Sequence, residues 1–166
     1  MAGAAIGRVA LFSIHPTYAE AILDGSKQVE FRRQALRSDV SHVIIYATSP
    51  RKRIVGVFEV DGVDAVSPRQ AWAQYRTVGG IDKASFDRYY EGAARAYVIR
   101  VRTAHATARP FALAEIDDEL RPPQSYQYLR GAQLEQAHRL LTADQSRPGM
   151  QWRLAAAGQQ VLAGTQ

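Results

Sequence analysis

Two periods of apolar and polar residues run through this chain, and the places where one gives way to the other mark its elements. Arg8 to His15 is a nearly unbroken apolar run that predicts a buried first strand. Pro16 then stands at a first helical position, apolar residues recur at helical spacing through Leu23, and Gly25 is placed to stop the helix with a left-handed cap. Ser41 to Thr48, rich in branched and aromatic residues and halted by Ser49-Pro50, predicts a strand. Arg53 to Val66 predicts a long one with bends or bulges at Gly56 and Gly62, so the two form a hairpin across the basic turn Arg51-Lys52-Arg53. Ser67 and Pro68 open a helix reaching about Tyr75, and Asp82 caps another that closes near Gly92. Ala96 to Ala106 returns to strand. From Arg109 onward the prolines at 110, 122 and 123 predict an irregular stretch kept out of any central strand. Leu134, Ala137, Leu140 and Leu141 give a helix over Ala132 to Leu141 its apolar face, and an Ala- and Gln-rich tail with Trp152 follows.

Five or six strands with helices between them, paired largely antiparallel around the hairpin, predict an α+β domain rather than a doubly wound parallel sheet. Apolar residues on both faces of Val43 to Ala47 point to a small mixed or antiparallel β-barrel with flanking and inserted helices. At 166 residues and 46% hydrophobic, the chain fills one core: one domain over residues 1–142 and a tail over 143–166, read as a terminal helix free to dock or not. There is no cysteine, and His15, His42, His105 and His138 show no ligand spacing, so neither a metal nor another cofactor is expected. Apolar runs too short for a bilayer and a start unlike a signal peptide predict a soluble, cytoplasmic protein without a membrane partner. The net charge of +5 favours an anionic partner, nucleic acid first among them.

That charge is unevenly placed. Four charged side chains, Lys27, Glu30, Arg32 and Arg33, fall within seven residues between apolar runs. If this stretch is extended, Gln28, Glu30 and Arg32 share one face, Val29 and Phe31 the other, and Lys27 stands at the mouth of the turn. Lys27 is then placed to meet a phosphate or a base carbonyl. Glu30 is either a general base working with Lys27 or simply the ion-pair partner of Arg32. Ser13 and His15 fall at the rim, His15 as a local hydrogen-bond partner or an acid-base group. Arg33, Arg51, Lys52 and Arg53 are candidates to grip phosphates, the last three also reading as a solvated turn. Tyr46, Tyr126 and Tyr128 offer faces for stacking, with core packing the alternative for Tyr46, and Gln124 and Ser125 offer hydrogen bonds to base edges.

The order of these residues resembles the ASCH family within the PUA-like superfamily of small β-barrels. The landmarks are Leu11 to Pro16, Ile22 to Lys27 with Glu30 to Arg33, Ile45 to Pro50, Val55 to Val60, Tyr89 to Gly92 and Pro122 to Leu129, spanning about Val9 to Leu141. The resemblance implies a PUA-like barrel, a groove beside the Lys27 turn, and association with RNA or another nucleic acid. Some relatives are nucleases, and others are small amidohydrolases acting on acylated cytidine. The amidohydrolases follow their lysine, three residues on, with a threonine nucleophile; this chain has Glu30 there. The expected function is therefore RNA binding through a basic groove, or, alternatively, metal-independent cleavage of RNA or a nucleoside derivative by Lys27 and Glu30.

Overall fold

The computed structural model describes residues 7–143, and in them one six-stranded sheet carries four helices. In chain order these are β1 (Arg8–Ile14), α1 (Pro16–Asp24), β2 (Val29–Arg32), β3 (Val40–Ala47), β4 (Arg53–Val66), α2 (Pro68–Tyr75), α3 (Lys83–Tyr89), β5 (Ala96–Phe111), β6 (Tyr126–Leu129) and α4 (Gly131–Thr142). The tail beyond, Trp152 included, lies outside the described residues. No helix among them is long and apolar enough to cross a membrane.

Local chemistry sets the helix starts where the sequence placed them. Ser67 and Gln70 form a reciprocal capping box ahead of α2, and Asp82 accepts from the Ser85 N–H ahead of α3. At α1 the cap is His15, whose Nδ1 accepts from the Thr17 N–H, and Gly25 ends the helix at φ 88°. A residue with a Cβ resists that φ, which is why the reversal into β2 falls on a glycine.

Strand order is β2-β5-β4-β3-β1-β6, with every pair antiparallel except β1 and β3. That parallel pair is the product of the crossover through α1 and β2, and it brings the C-terminal ends of β1 and β3 to one end of the sheet. The fold is thus mixed α+β, as expected, but hydrogen bonding does not close the sheet into a barrel: β2 and β6 are edges.

Two elements go beyond the reading of the sequence. Residues 126–129, to which it assigned no element, form edge strand β6 against β1, because the prolines end at 123 and leave the following backbone free to pair. β5 runs through Pro110 to Phe111. Between the pairs Gly56↔Ala106 and Ile54↔Phe111, β5 has extra residues, so Pro110 lies in an irregularity where its missing N–H breaks no ladder bond.

Three apolar clusters follow from the alternation. Val9, Leu11, Ile44 and Tyr46 pack on one face with Leu141 and Ala137 of α4. Phe12, Ile14, Val43 and Ile45 pack on the other with Ile22 of α1. Val29 and Phe31 of β2 pack with Tyr75 of α2, Phe86 of α3 and Tyr90 just past its end.

Candidate functional site

With Val29 and Phe31 committed to the helices, strand alternation leaves Glu30 and Arg32 on the opposite face. That face is not open to water: Glu30 and Arg32 are each 7% exposed and Lys27 only 2%. These three charges line a cavity of about 150 Å³ whose other walls come from the end of β1 (Ser13, Ile14) and His15 after it, from Tyr18 of α1, from Phe31 of β2, and from Ile81 and Tyr89 before and at the end of α3.

Each charge is held. Lys27 Nζ donates to the Gly79 carbonyl and lies 3.9 Å from Glu30 Oε2. It also lies 5.2 Å from the centre of the Tyr18 ring and 5.0 Å from that of Phe31. Arg32 Nη2 approaches Glu30 Oε1 at 3.0 Å and the Ser13 carbonyl at 3.0 Å, while its Nη1 reaches Ser125 Oγ at 3.2 Å. The Arg32 guanidinium stacks over Phe12, 4.4 Å from its centroid. Its Nε is buried without a hydrogen-bond partner. Arg32 therefore bridges from edge strand β2 to the end of β1 and the approach to β6, spanning by side chain the seam that backbone pairing leaves open.

Burial holds the Lys27 amine below the lysine value of 10.5, because desolvation penalises its charged form more than Glu30 supports it; Arg32 adds repulsion. The neighbouring phenols are pushed the other way. Burial raises Tyr89, and it raises Tyr90 strongly, whose hydroxyl donates to the Arg32 carbonyl at 3.0 Å. His15 Nδ1 is spent on the Thr17 N–H, so the neutral ring carries its proton on Nε2. Among the described residues, no group of three or more His, Asp or Glu side chains is arranged to hold a metal ion.

Of the residues singled out in the sequence, Ser13, His15, Lys27, Glu30 and Arg32 meet in this cavity. Ser125 touches it through Arg32. Arg33 lies outside, with Nη1 donating to the Tyr89 and Glu91 carbonyls at 2.9 and 3.3 Å. Tyr46 is 5% exposed in the cluster beneath α4, and Tyr126 spends its hydroxyl on the Ala35 carbonyl at 2.6 Å with its ring 5.5 Å from Phe12. Neither tyrosine borders the cavity, since the fold uses the first as core and the second to fasten the segment after β2 to β6. Tyr128 does similar work, accepting from the Arg37 N–H at 3.2 Å. Gln124 is exposed. Arg51, Lys52 and Arg53 are exposed in the β3–β4 turn, which leaves the sheet where the Thr48 N–H donates to the Ile14 carbonyl at 3.0 Å, beside the cavity.

Sequence reasoning missed Tyr18, Phe31, Ile81, Tyr89 and the Gly79 carbonyl. Tyr18 was within reach: three positions after His15, it shares a face of α1 with it. The Gly79 carbonyl carried no signal, because a backbone acceptor 52 residues from its donor is written in no side chain.

Comparison with known proteins agrees with the fold. The family model described as the ASCH domain matches residues 12–109. An ASCH domain-containing ribonuclease of Zymomonas mobilis is 32% identical over 125 residues, 73% of this chain and 84% of the relative. The crystal structure of ASCH from Zymomonas mobilis superposes with a TM-score of 0.75 at 29% identity, covering 80% of this chain and 94% of that one. A large ribosomal subunit protein uL22 of Ureaplasma parvum is 30% identical over 121 residues, 72% of this chain; the match spans only 39% of that protein's length.

Proposed function

This chain belongs to the ASCH domain family, and from that premise we propose that it binds RNA, one nucleotide entering the Lys27 cavity while the adjoining backbone runs across the ends of β1 and β3 to the Arg51-Lys52-Arg53 turn. The observation that carries this reading is the charge of the cavity. Two cations face one carboxylate, all three more than nine-tenths buried in the wall of an open cavity, and a buried Arg32 N–H has no acceptor among the described residues. A phosphate supplies a counter-charge for Lys27, and a base carbonyl a further acceptor for it. At about 150 Å³ the cavity is smaller than the roughly 300–1,000 Å³ that encloses a drug-sized molecule, so it suits one flat or tetrahedral group and leaves the rest of the chain outside. Tyr18 and Tyr89 are its aromatic walls.

Anisotropy of labelled single-stranded RNA tests this, in EDTA, at salt between about 50 and 200 mM. Lys27→Ala is expected to weaken binding about tenfold or more, the effect of losing a charge-assisted contact. Reversing the charge at Arg51, Lys52 and Arg53 is expected to lower the slope of log affinity against log salt by about 2. Absence of RNA binding by the wild type at the lowest salt overturns the proposal.

A second reading is favoured by the relative named a ribonuclease: the same cavity cleaves RNA. Here Glu30 removes the 2′-hydroxyl proton, the 2′-oxygen attacks phosphorus, and Lys27 neutralises the phosphorane oxygen. The proton taken by Glu30 is then delivered to the departing 5′-oxygen, which leaves a 2′,3′-cyclic phosphate and a 5′-hydroxyl. Glu30→Gln then abolishes turnover while RNA binding persists, and cleavage unaffected by Glu30→Gln removes this reading.

A further inference from the structure

A second, larger cavity of about 470 Å³ lies between α2 and α3, apart from the Lys27 site. Its floor is Trp72 and Phe86, with rings 5.1 Å apart, and its cationic rim is Arg69, Arg76 and Lys83. Arg69, Trp72, Ala73 and Arg76 recur at the spacing of one helical face, so two arginines two turns apart flank a single indole. Both arginines are exposed, and neither guanidinium has a hydrogen-bonding or ion-pairing partner among the described residues. Lys83 covers the indole at 5.6 Å from its centroid and pairs with Asp87 one turn along α3. An exposed pair of that kind is among the weakest contacts in a fold, so a flat ligand displaces it easily. The two cavities share α3: Lys83, Phe86 and Asp87 line this one and Tyr89 the other. Phe86 and Tyr89, one from each lining, stand three positions apart on α3, an axial rise of about 4.5 Å.

We propose that the groove between α2 and α3 is a second RNA subsite, in which a base lies on Trp72 and the flanking phosphates bind Arg69 and Arg76. It rests on the reading of the Lys27 cavity as an RNA site and extends the strand bound there over α3. Two unpaired arginines and a lysine over an aromatic floor are a combination that holds single-stranded nucleic acid without reading its sequence. An acidic peptide meets the rim charge equally well but leaves the half-buried indole without a planar partner.

Trp72 is its own reporter once the chain's other tryptophan is removed by Trp152→Phe. A mixed-sequence RNA dodecamer is expected to quench Trp72 fluorescence in that protein, and a trinucleotide to bind with little quenching. Arg69→Glu with Arg76→Glu is expected to abolish the quench, weaken the dodecamer about tenfold and lower its salt slope by about 1.4, leaving trinucleotide affinity unchanged. An unchanged dodecamer affinity in the double variant, with Lys27→Ala still defective, overturns the subsite and leaves the Lys27 reading standing. Quenching by a glutamate-rich peptide but not by RNA overturns it in favour of a protein partner. A wild type that binds no RNA overturns both. Dodecamer binding lost in the arginine variant but intact in Lys27→Ala supports the groove and removes the Lys27 cavity.

Discussion

Two clusters of arginines and carboxylates lie on this sheet, and their residue types alone would rank them alike. On the solvent side of β4 and β5, Arg102 reaches Glu59 at 3.2 Å and Asp61 at 3.0 Å, and Arg100 pairs with Asp61 and Asp64. Each charge there has water for a second partner. At β2 the Lys27-Glu30-Arg32 cluster has almost none, and it pays in a depressed lysine and an orphaned guanidinium N–H. Charge density therefore does not mark a site. Burial beside an open cavity does, because there each unmet polar group has a free-energy reason to take a ligand.

The sharpest way to break this comparison is to neutralise one carboxylate in each cluster. Glu30→Gln leaves Lys27 and Arg32 facing one another without their counter-ion and is expected to cost about 3 kcal/mol in urea unfolding. Asp61→Asn is expected to leave the midpoint within the scatter of replicates, since water and Glu59 still serve Arg102. Equal losses at the two positions would mean that burial does not separate the clusters.

The second test is pH. The folded chain holds the Lys27 proton less tightly than the unfolded chain, so between the depressed value and 10.5 the unfolded state binds more protons. Stability contributed by this residue therefore rises with pH across that window, with a slope of at most about 1.4 kcal/mol per pH unit for one proton. The difference in unfolding free energy between wild type and Lys27→Met, followed from neutral pH upward, should shift in favour of the wild type. The buried tyrosines act in the opposite sense near and above 10 but are common to both proteins and cancel. A flat difference would show that the amine is not desolvated.

The smallest effect sharpens the contrast between cavity and seam. Tyr126→Phe deletes one hydroxyl bond to the Ala35 carbonyl and should cost about 1 kcal/mol or less. Amide exchange should quicken over residues 33–39 and in β6, while RNA affinity stays unchanged because Tyr126 borders no part of the cavity. A large loss of affinity would place the ligand along the seam instead.

The chain's own order was enough for the caps at Ser67, Asp82 and Gly25, the β3–β4 hairpin, the irregularity beside Gly62, and the two-faced character of β2. Each depends on residues within a few positions, where steric and hydrogen-bonding rules act without knowledge of the rest. Tertiary structure alone decided that the sheet stays open between β2 and β6, that 126–129 becomes a strand, and that Tyr126 fastens a seam. The same holds for Lys27. Its place after the helix stop was legible, but whether its amine met water or the Gly79 carbonyl depended on a loop that packs against it from 52 residues away. Burial is a property of what surrounds a residue, and distant segments supply those surroundings only once the chain has closed on itself.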